Sequence, residues 1–420
     1  MMPFREGLSL FFSSRSLTWD TALLLLGALA YFFALPLQSD TTALIVAVTL
    51  VAIAVTKKRA LGPRLFAPSI KWPLLAVVFY VLIALAAAVC NMAVIREFPR
   101  MVLWLCCVFS GAVFGLVFPR NGGRYMWGAL VGIAVSFAVA VLFYGYDASA
   151  IWHDGRLKLF ALHPSRLAVY AAVAFLFLLH RAVTGKTRER LLAVAGALFL
   201  LFILVKTNTR GNLFMLPIGL LFLGVALPKC YWKRFGLALL VCAVLTSGAI
   251  WTAKDTVTGK RLVSVVTDVT EDPNFISRQP IWEAGWESFK ESPLIGHGYH
   301  SYRALHAAYV QKHGPELQAR YGGYEKTVKQ AHNIVLGRLV DTGLLGAVAF
   351  FFFYAAAILA AWRGAQENKW LVAPLVFYLG MSMLDDGLFR MNDAFILFIA
   401  GNALTSGLFG ASSFPKSVSS

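Results

Sequence analysis

The stretch LLAVAGALFLLFILVKTNTRGNLFMLPIGLLFLGVALP, residues 191–228, decides the fold class. Two nearly unbroken apolar runs, 191–206 and 212–228, flank the short polar turn TNTRG at 207–211. Runs of this kind approach the ~20 apolar residues that a helix needs to cross hydrocarbon. They lack the alternation of roughly ten-residue segments that marks a barrel strand. Two helices joined with almost no loop make a membrane hairpin, because every backbone polar group must be bonded within the segment that crosses.

The rest of the chain has the same character. Of 420 residues, 59% are hydrophobic and 14% charged, and mean hydropathy is +0.68. An ordinary soluble domain is roughly 45–50% apolar and about 25% charged. The chain has too little polar surface for a water-soluble globule, and it is far too apolar for a disordered one. The reading is an all-α integral membrane protein of about 12 transmembrane helices with one large helical loop on the outer face, periplasmic if the membrane is a bacterial inner membrane. The spans are expected near 18–37, 40–56, 72–90, 99–118, 125–144, 166–181, 191–206, 212–228, 235–252, 335–361, 371–388 and 394–411. Three units follow: 1–252 with helices 1–9, the loop 253–334, and 335–420 with helices 10–12 and a short cytoplasmic tail.

Orientation rests on Lys and Arg, which gather in cytoplasmic loops. With the N-terminus in the cytoplasm, inside segments carry nineteen of them, among them Lys57, Lys58, Arg59, Arg188, Arg190 and Lys233. The short outside loops carry eight: Arg96, Arg100, Arg156, Lys158, Arg166, Lys206, Arg210 and Arg390. Both termini are therefore expected inside, and the formal net charge of +17 is mainly this asymmetry. It points to membrane lipids as partners and away from nucleic acid. The loop 253–334 is nearly balanced, with ten basic and nine acidic residues, so an anion site there must rest on particular side chains. Cys90, Cys106, Cys107, Cys230 and Cys242 lie in or beside spans, so no structural disulfide is expected. The first span serves as the targeting element, since Met1–Ser16 has no signal-peptide pattern.

Within the loop, SRQPIWEAGWESFKE (277–291) repeats apolar residues at spacings of three and four, predicting an amphipathic helix. Two Trp on such a helix suit a membrane interface or the cap of a cavity. Pro293, Gly296 and Gly298 end it, a second helix is predicted near 301–313, and the Gly322–Gly323 pair marks a turn.

Lys206 and Arg210, in the 206–212 segment, stand against the positive-inside trend at the outer surface. A cation held against hydrocarbon is costly and is retained for function, its partner here an anionic headgroup or phosphate. A snorkelling arginine touching lipid phosphate is the plainer account. His332 in AHNIV (331–335) sits where the loop re-enters the membrane, with Asn333 beside it. Histidine ordinarily titrates near pH 6.5, so its neutral form is available as a proton acceptor; a helix cap is the alternative. Arg278 opens the amphipathic helix, and its guanidinium can fork onto phosphate oxygens; a solvated loop arginine is the plainer account. His163 and Arg166 in HPSR precede the sixth span. GHGYHSY (296–302) has a weak metal-like His spacing without a fixed acidic or thiol partner. Asp385, Asp386, Arg390 and Asp393 read as a charged turn rather than a metal site. No phosphate-binding Gly-rich loop is present, and the cytoplasmic loops are short. Chemistry is thus expected outside, with a donor that brings its own activated bond. Span centres read as almost charge-free, which argues against a transporter with midplane charges.

TNTRGN after the seventh span, the R-x-x-x-W pattern from Arg278 to Trp282, SPLIGHGY (292–299) and AHNIVLGRLVDTGLLG (331–346) together resemble the O-antigen ligase family. The similarity runs over roughly 150–360. The resemblance implies transfer of a glycan from undecaprenyl pyrophosphate to a sugar hydroxyl of lipid A-core at the periplasmic face of a bacterial inner membrane. It implies pyrophosphate-binding arginines at Arg210 and Arg278, a catalytic His332, and neither metal nor cofactor. Arg166, Lys206 and Asn333 are further candidate substrate-binding residues. O-antigen polymerases and protein O-oligosaccharyltransferases of the same superfamily share these motifs, so acceptor identity stays open.

Overall fold

The computed structural model describes residues 19–34, 63–90, 94–119, 123–149, 151–153, 155–160, 163–253, 276–299, 301–322, 324, 328–384 and 394–409. The expected span 40–56, the second histidine of GHGYHSY (His300) and the acidic trio Asp385, Asp386 and Asp393 lie outside the described residues. The helices are α1 (Trp19–Ala34), α2 (Pro68–Cys90), α3 (Val94–Val117), α4 (Met126–Tyr144), α5 (Pro164–Thr184), α6 (Thr187–Thr207), α7 (Arg210–Ala226) and α8 (Trp232–Ala253). They continue with α9 (Arg278–Glu291), α10 (Tyr302–Tyr321), α11 (Ile334–Arg363), α12 (Val372–Ser382) and α13 (Ala394–Ser406). A two-residue β-hairpin pairs Trp152 with Leu157 and His153 with Arg156. Six helices among the described residues are long and apolar enough to cross a membrane, and α7 and parts of α3 and α13 are shorter apolar helices. The protein is an all-α membrane protein.

Apolar pattern explains who sits in the middle. In α5, 83% of the apolar window is buried. A helix apolar all round belongs in the interior, and α5 packs against α4, α6, α7, α8 and α12. In α8 only 6% is buried, so Leu237, Val244 and Trp251 present their side chains outward. Small residues allow α3 and α13 to approach: a Cβ on Gly111 would lie 2.0 Å from the Phe398 carbonyl oxygen. That is the backbone proximity on which membrane helix pairs depend.

One sequence expectation is corrected. The second loop helix extends to Tyr321 rather than stopping near 313. Pro315 removes one amide donor, yet the face formed by Tyr302, His306, Val310, Gly314 and Leu317 is buried, and packing carries the helix through. Among the described residues the eleventh segment is α-helical over Val372–Ser382, preceded by the 3-10 turn Gln366–Leu371. Near its start α11 also buries Arg338 (0% exposed) and Asp341, charges that the sequence reading did not single out.

The tenth segment is not one continuous helix. At Gly343 the chain adopts φ 61° and ψ −167°, breaking α11. An unbroken helix would bond the amides of 344 and 345 to the carbonyls of 340 and 341. Here the Leu344 and Leu345 amides donate to Pro293 O (2.8 Å) and Leu294 O (3.2 Å). The freed carbonyls of Val340 and Asp341 accept from the amides of His297 (2.8 Å) and Gly298 (2.9 Å). SPLIGHGY and DTGLL are therefore one interlocked unit, with four displaced backbone groups satisfied reciprocally. Only glycine fits: a Cβ on Gly343 would lie 2.3 Å from Leu294 C and O, and one on Gly296 would lie 2.6 Å from the backbone of 341–343.

Candidate functional site

α6 ends where Asn208 takes a left-handed conformation (φ 46°), and α7 begins at Arg210. Thr207 donates to the Leu204 carbonyl at 2.7 Å, closing the end of α6. The turn is thus as tight as its composition predicts, with Lys206 in the last turn of α6 and Arg210 in the first of α7. Both are half-buried. The buried Asn212 donates from Nδ2 to the Ser165 carbonyl at 3.2 Å. That bond joins the first turn of α7 to the first turn of α5, so Arg166 and Arg210 stand on adjacent helix starts. His163 caps α5, its Nδ1 accepting from the Ser165 amide.

His332 and Asn333 form a second group. Asn333 is the N-cap of α11: its Oδ1 accepts from the amides of Val335 (3.0 Å) and Leu336 (3.1 Å). That oxygen is committed to the helix. His332 precedes the cap with φ 51°, a left-handed conformation uncommon for a side-chain-bearing residue. Strained backbone of this kind concentrates at functional positions. Arg278 starts α9, whose Ile281 packs with Tyr302, Val328, Ala331, Leu336 and Val340 in a small core of its own. Gly285 lets α9 lie close on Leu336. The same core that holds α9 therefore also fixes Ala331, the neighbour of His332.

Both groups lie at one end of the bundle. At the other end, Gln366, just past α11, donates to the carbonyl of Ala226, the last residue of α7, at 2.8 Å. Trp370 meets Phe177 near the C-terminus of α5, with ring centroids 5.1 Å apart. The N-termini of α5, α7 and α11 consequently point to one face, and the loop docked at Gly343 is there too. Helix N-termini carry partial positive charge and exposed amides, which suit an anion. Arg166, Arg210, Arg278 and His332 arrive at a face already biased toward negative groups.

Sequence reading passed over Arg338. It is fully buried, donates to the Tyr80 hydroxyl of α2 at 2.8 Å, and lies 3.8 Å from the Asp341 carboxylate. It stands 5.7 Å from the Phe350 ring and lines a cavity of about 20 Å³, room for about one water. The signal was available: an Arg–Asp pair three apart in an apolar run is expensive to bury unpaired. GHGYHSY resolves differently. His297 Nε2 lies 2.7 Å from the Ser288 carbonyl, and its backbone is part of the interlock. Among the described residues no three His, Cys, Asp or Glu side chains cluster.

The fold and this face define a multi-pass helical membrane protein with a cationic, histidine-bearing candidate site at one end of its bundle. Comparison with known proteins is more particular. A family model described as O-antigen ligase matches residues 195–351, the stretch that holds Lys206, Arg210, Arg278, His332 and Asn333. An O-antigen ligase of Pseudomonas aeruginosa PAO1 is 26% identical over 341 residues, covering 78% of this chain and 75% of the relative. Both findings support the O-antigen ligase family, which the sequence motifs resemble.

Proposed function

We propose that this protein transfers O-antigen glycan from undecaprenyl pyrophosphate to a sugar hydroxyl of lipid A-core at the periplasmic face of the inner membrane. The reading is supported chiefly by the helix starts of α5 with Arg166, α7 with Arg210 and α11 just after His332, which point to one end of the bundle, with α9 and its Arg278 packed against α11. His332 is the general base and accepts the proton of the acceptor hydroxyl. Its oxygen attacks the anomeric carbon as the bond to the pyrophosphate oxygen breaks. Arg210 and Arg278 stabilise the negative charge that grows on the leaving group. One displacement inverts the anomeric carbon and needs no covalent intermediate. Guanidinium groups meet the phosphate charge, so no divalent ion is assigned a role. Arg166, Lys206 and the amide nitrogen of Asn333 are candidate secondary contacts to the lipid-linked donor. Both termini are assigned to the cytoplasm, from the distribution of Lys and Arg.

Arginine substitution tests the assignment. Arg→Lys at 210 or 278 keeps charge but loses the planar fork. We expect a substantial loss of transfer with Lys and near-complete loss with Ala, at unchanged protein level in the membrane. Full activity of Arg210→Ala would remove Arg210 from the pyrophosphate site.

A further inference from the structure

The helix that carries Arg278 buries one face against its neighbours and leaves the other open. Ile281, Ala284, Gly285 and Ser288 are buried. The other face, bearing Trp282, Glu283 and Trp286, looks across at α10 and forms with it an open cleft of about 570 Å³. Tyr309, Arg320 and Tyr321 supply the opposite wall. Small-molecule sites commonly measure ~300–1,000 Å³.

Glu283 is the hub. Its Oε1 accepts from Arg320 at 3.0 Å and from the Tyr321 hydroxyl, and its Oε2 accepts from Tyr309 at 3.4 Å. Burial first, and then Glu283, raises the pKa of both phenols, so they stay protonated donors. A carboxylate offers about four acceptor positions. Three are occupied here, so the carboxylate is pre-oriented with capacity for one more hydroxyl. Trp286 is half-exposed (49%) and tilted against Phe289, with ring centroids 5.3 Å apart, so its ring is held in place.

Flat aromatic surfaces beside a fixed carboxylate, phenols and an amide match one ligand chemistry. The axial C–H face of a pyranose stacks on an indole, while its hydroxyls bond to carboxylate, phenol and amide groups. Gln279 adds the amide. Charge argues against a phosphate: Glu287 also lines the cleft, and its cation Arg320 is already paired with Glu283 and, at 3.7 Å, Glu316. We propose that this cleft is a saccharide-binding subsite for uncharged sugar residues of the glycan undergoing transfer. The proposal rests on the function assigned above, in that it takes the glycan as substrate. At 1.5 Å per residue, Trp282 and Trp286 stand about 6 and 12 Å along α9 from Arg278. A glycan whose pyrophosphate lies at Arg278 can therefore run along the helix into the cleft.

The test uses the full-length protein in nanodiscs and, as probe, O-polysaccharide freed from its lipid by mild acid. Binding is read by saturation-transfer NMR and calorimetry. Wild type is expected to bind, Trp282→Ala and Trp286→Ala to bind roughly tenfold more weakly, the loss typical of a truncated aromatic anchor. Trp286→Phe retains most of the affinity because a ring still stacks. His332→Ala binds as wild type does. With lipid-linked donor, Trp286→Ala raises KM by a similar factor. No binding by wild type, or equal binding by folded Trp286→Ala, overturns the subsite. So does Trp-dependent binding to phosphatidylglycerol vesicles without polysaccharide binding, which would make the cleft a lipid contact. Trp-dependent polysaccharide binding alongside full transfer by His332→Ala would leave the subsite standing and overturn the assigned mechanism instead.

Discussion

The polar pair at the start of α11 separates two roles that sequence left joined. Asn333 supplies the cap to the Val335 and Leu336 amides, so capping does not require His332. Asn333→Ala is expected to lower stability by about 1 kcal/mol, and Asn333→Asp to restore most of it, in melting experiments on detergent-solubilised protein. His332→Ala is expected to reduce transfer per folded molecule by roughly 10²–10⁴-fold with donor binding retained. His332→Gln should fare no better, because an amide cannot accept the proton. An active Gln variant would end the general-base assignment. At this scale Arg210 stood out in the sequence because a cation beside hydrocarbon demands a partner, whereas Arg278, in the loop, was singled out by the family resemblance. Arg338 was not. Its reason for being buried lies in Tyr80, which is 258 residues away and invisible to any local pattern.

Among the elements, apolar runs were easily read because hydrophobic length alone sets a crossing helix. Helix α9 was predicted over 277–291 and is found at Arg278–Glu291, since its apolar residues keep strict helical spacing. What hydropathy conceals is a single backbone angle. VLGRLVDTGLLGAV reads as one helix, and the break at Gly343 becomes visible only when 293–298 is seen bonding into it. Substitution of Gly343 by Ala is expected to destabilise this unit severely. A side-chain-bearing residue held at this φ and ψ, a region essentially reserved for glycine, costs ~1–3 kcal/mol, and the clash with the Leu294 backbone adds to it. The expected result is rapid proteolysis of the loop with the transmembrane bundle still inserted. Gly322→Ala is the control, since it shares a positive φ (69°) but meets open space. Equal protease resistance of Gly343→Ala and wild type would contradict the interlock.

For the molecule as a whole, the parallel N-termini of α5, α7 and α11 place the candidate groups at one face, which the proposed topology assigns to the periplasm. In a Cys230→Ser background, an impermeant maleimide added from the periplasm should label Lys312→Cys in α10 and spare Lys186→Cys between α5 and α6. Both positions are exposed, so accessibility turns on sidedness alone. The reverse pattern would invert the topology and, with it, the site. Acceptor identity was beyond sequence, because the motifs assigned here to the donor are shared by the ligases and polymerases that the sequence resembles. The most direct measurement reconstitutes the purified protein in liposomes with undecaprenyl-pyrophosphate-linked glycan and lipid A-core, in EDTA, and separates the products by size. The account predicts glycan joined to lipid A-core by wild type and none by His332→Ala. Lengthened lipid-linked glycan with lipid A-core untouched, or transfer that appears only when a divalent metal is restored, would contradict it.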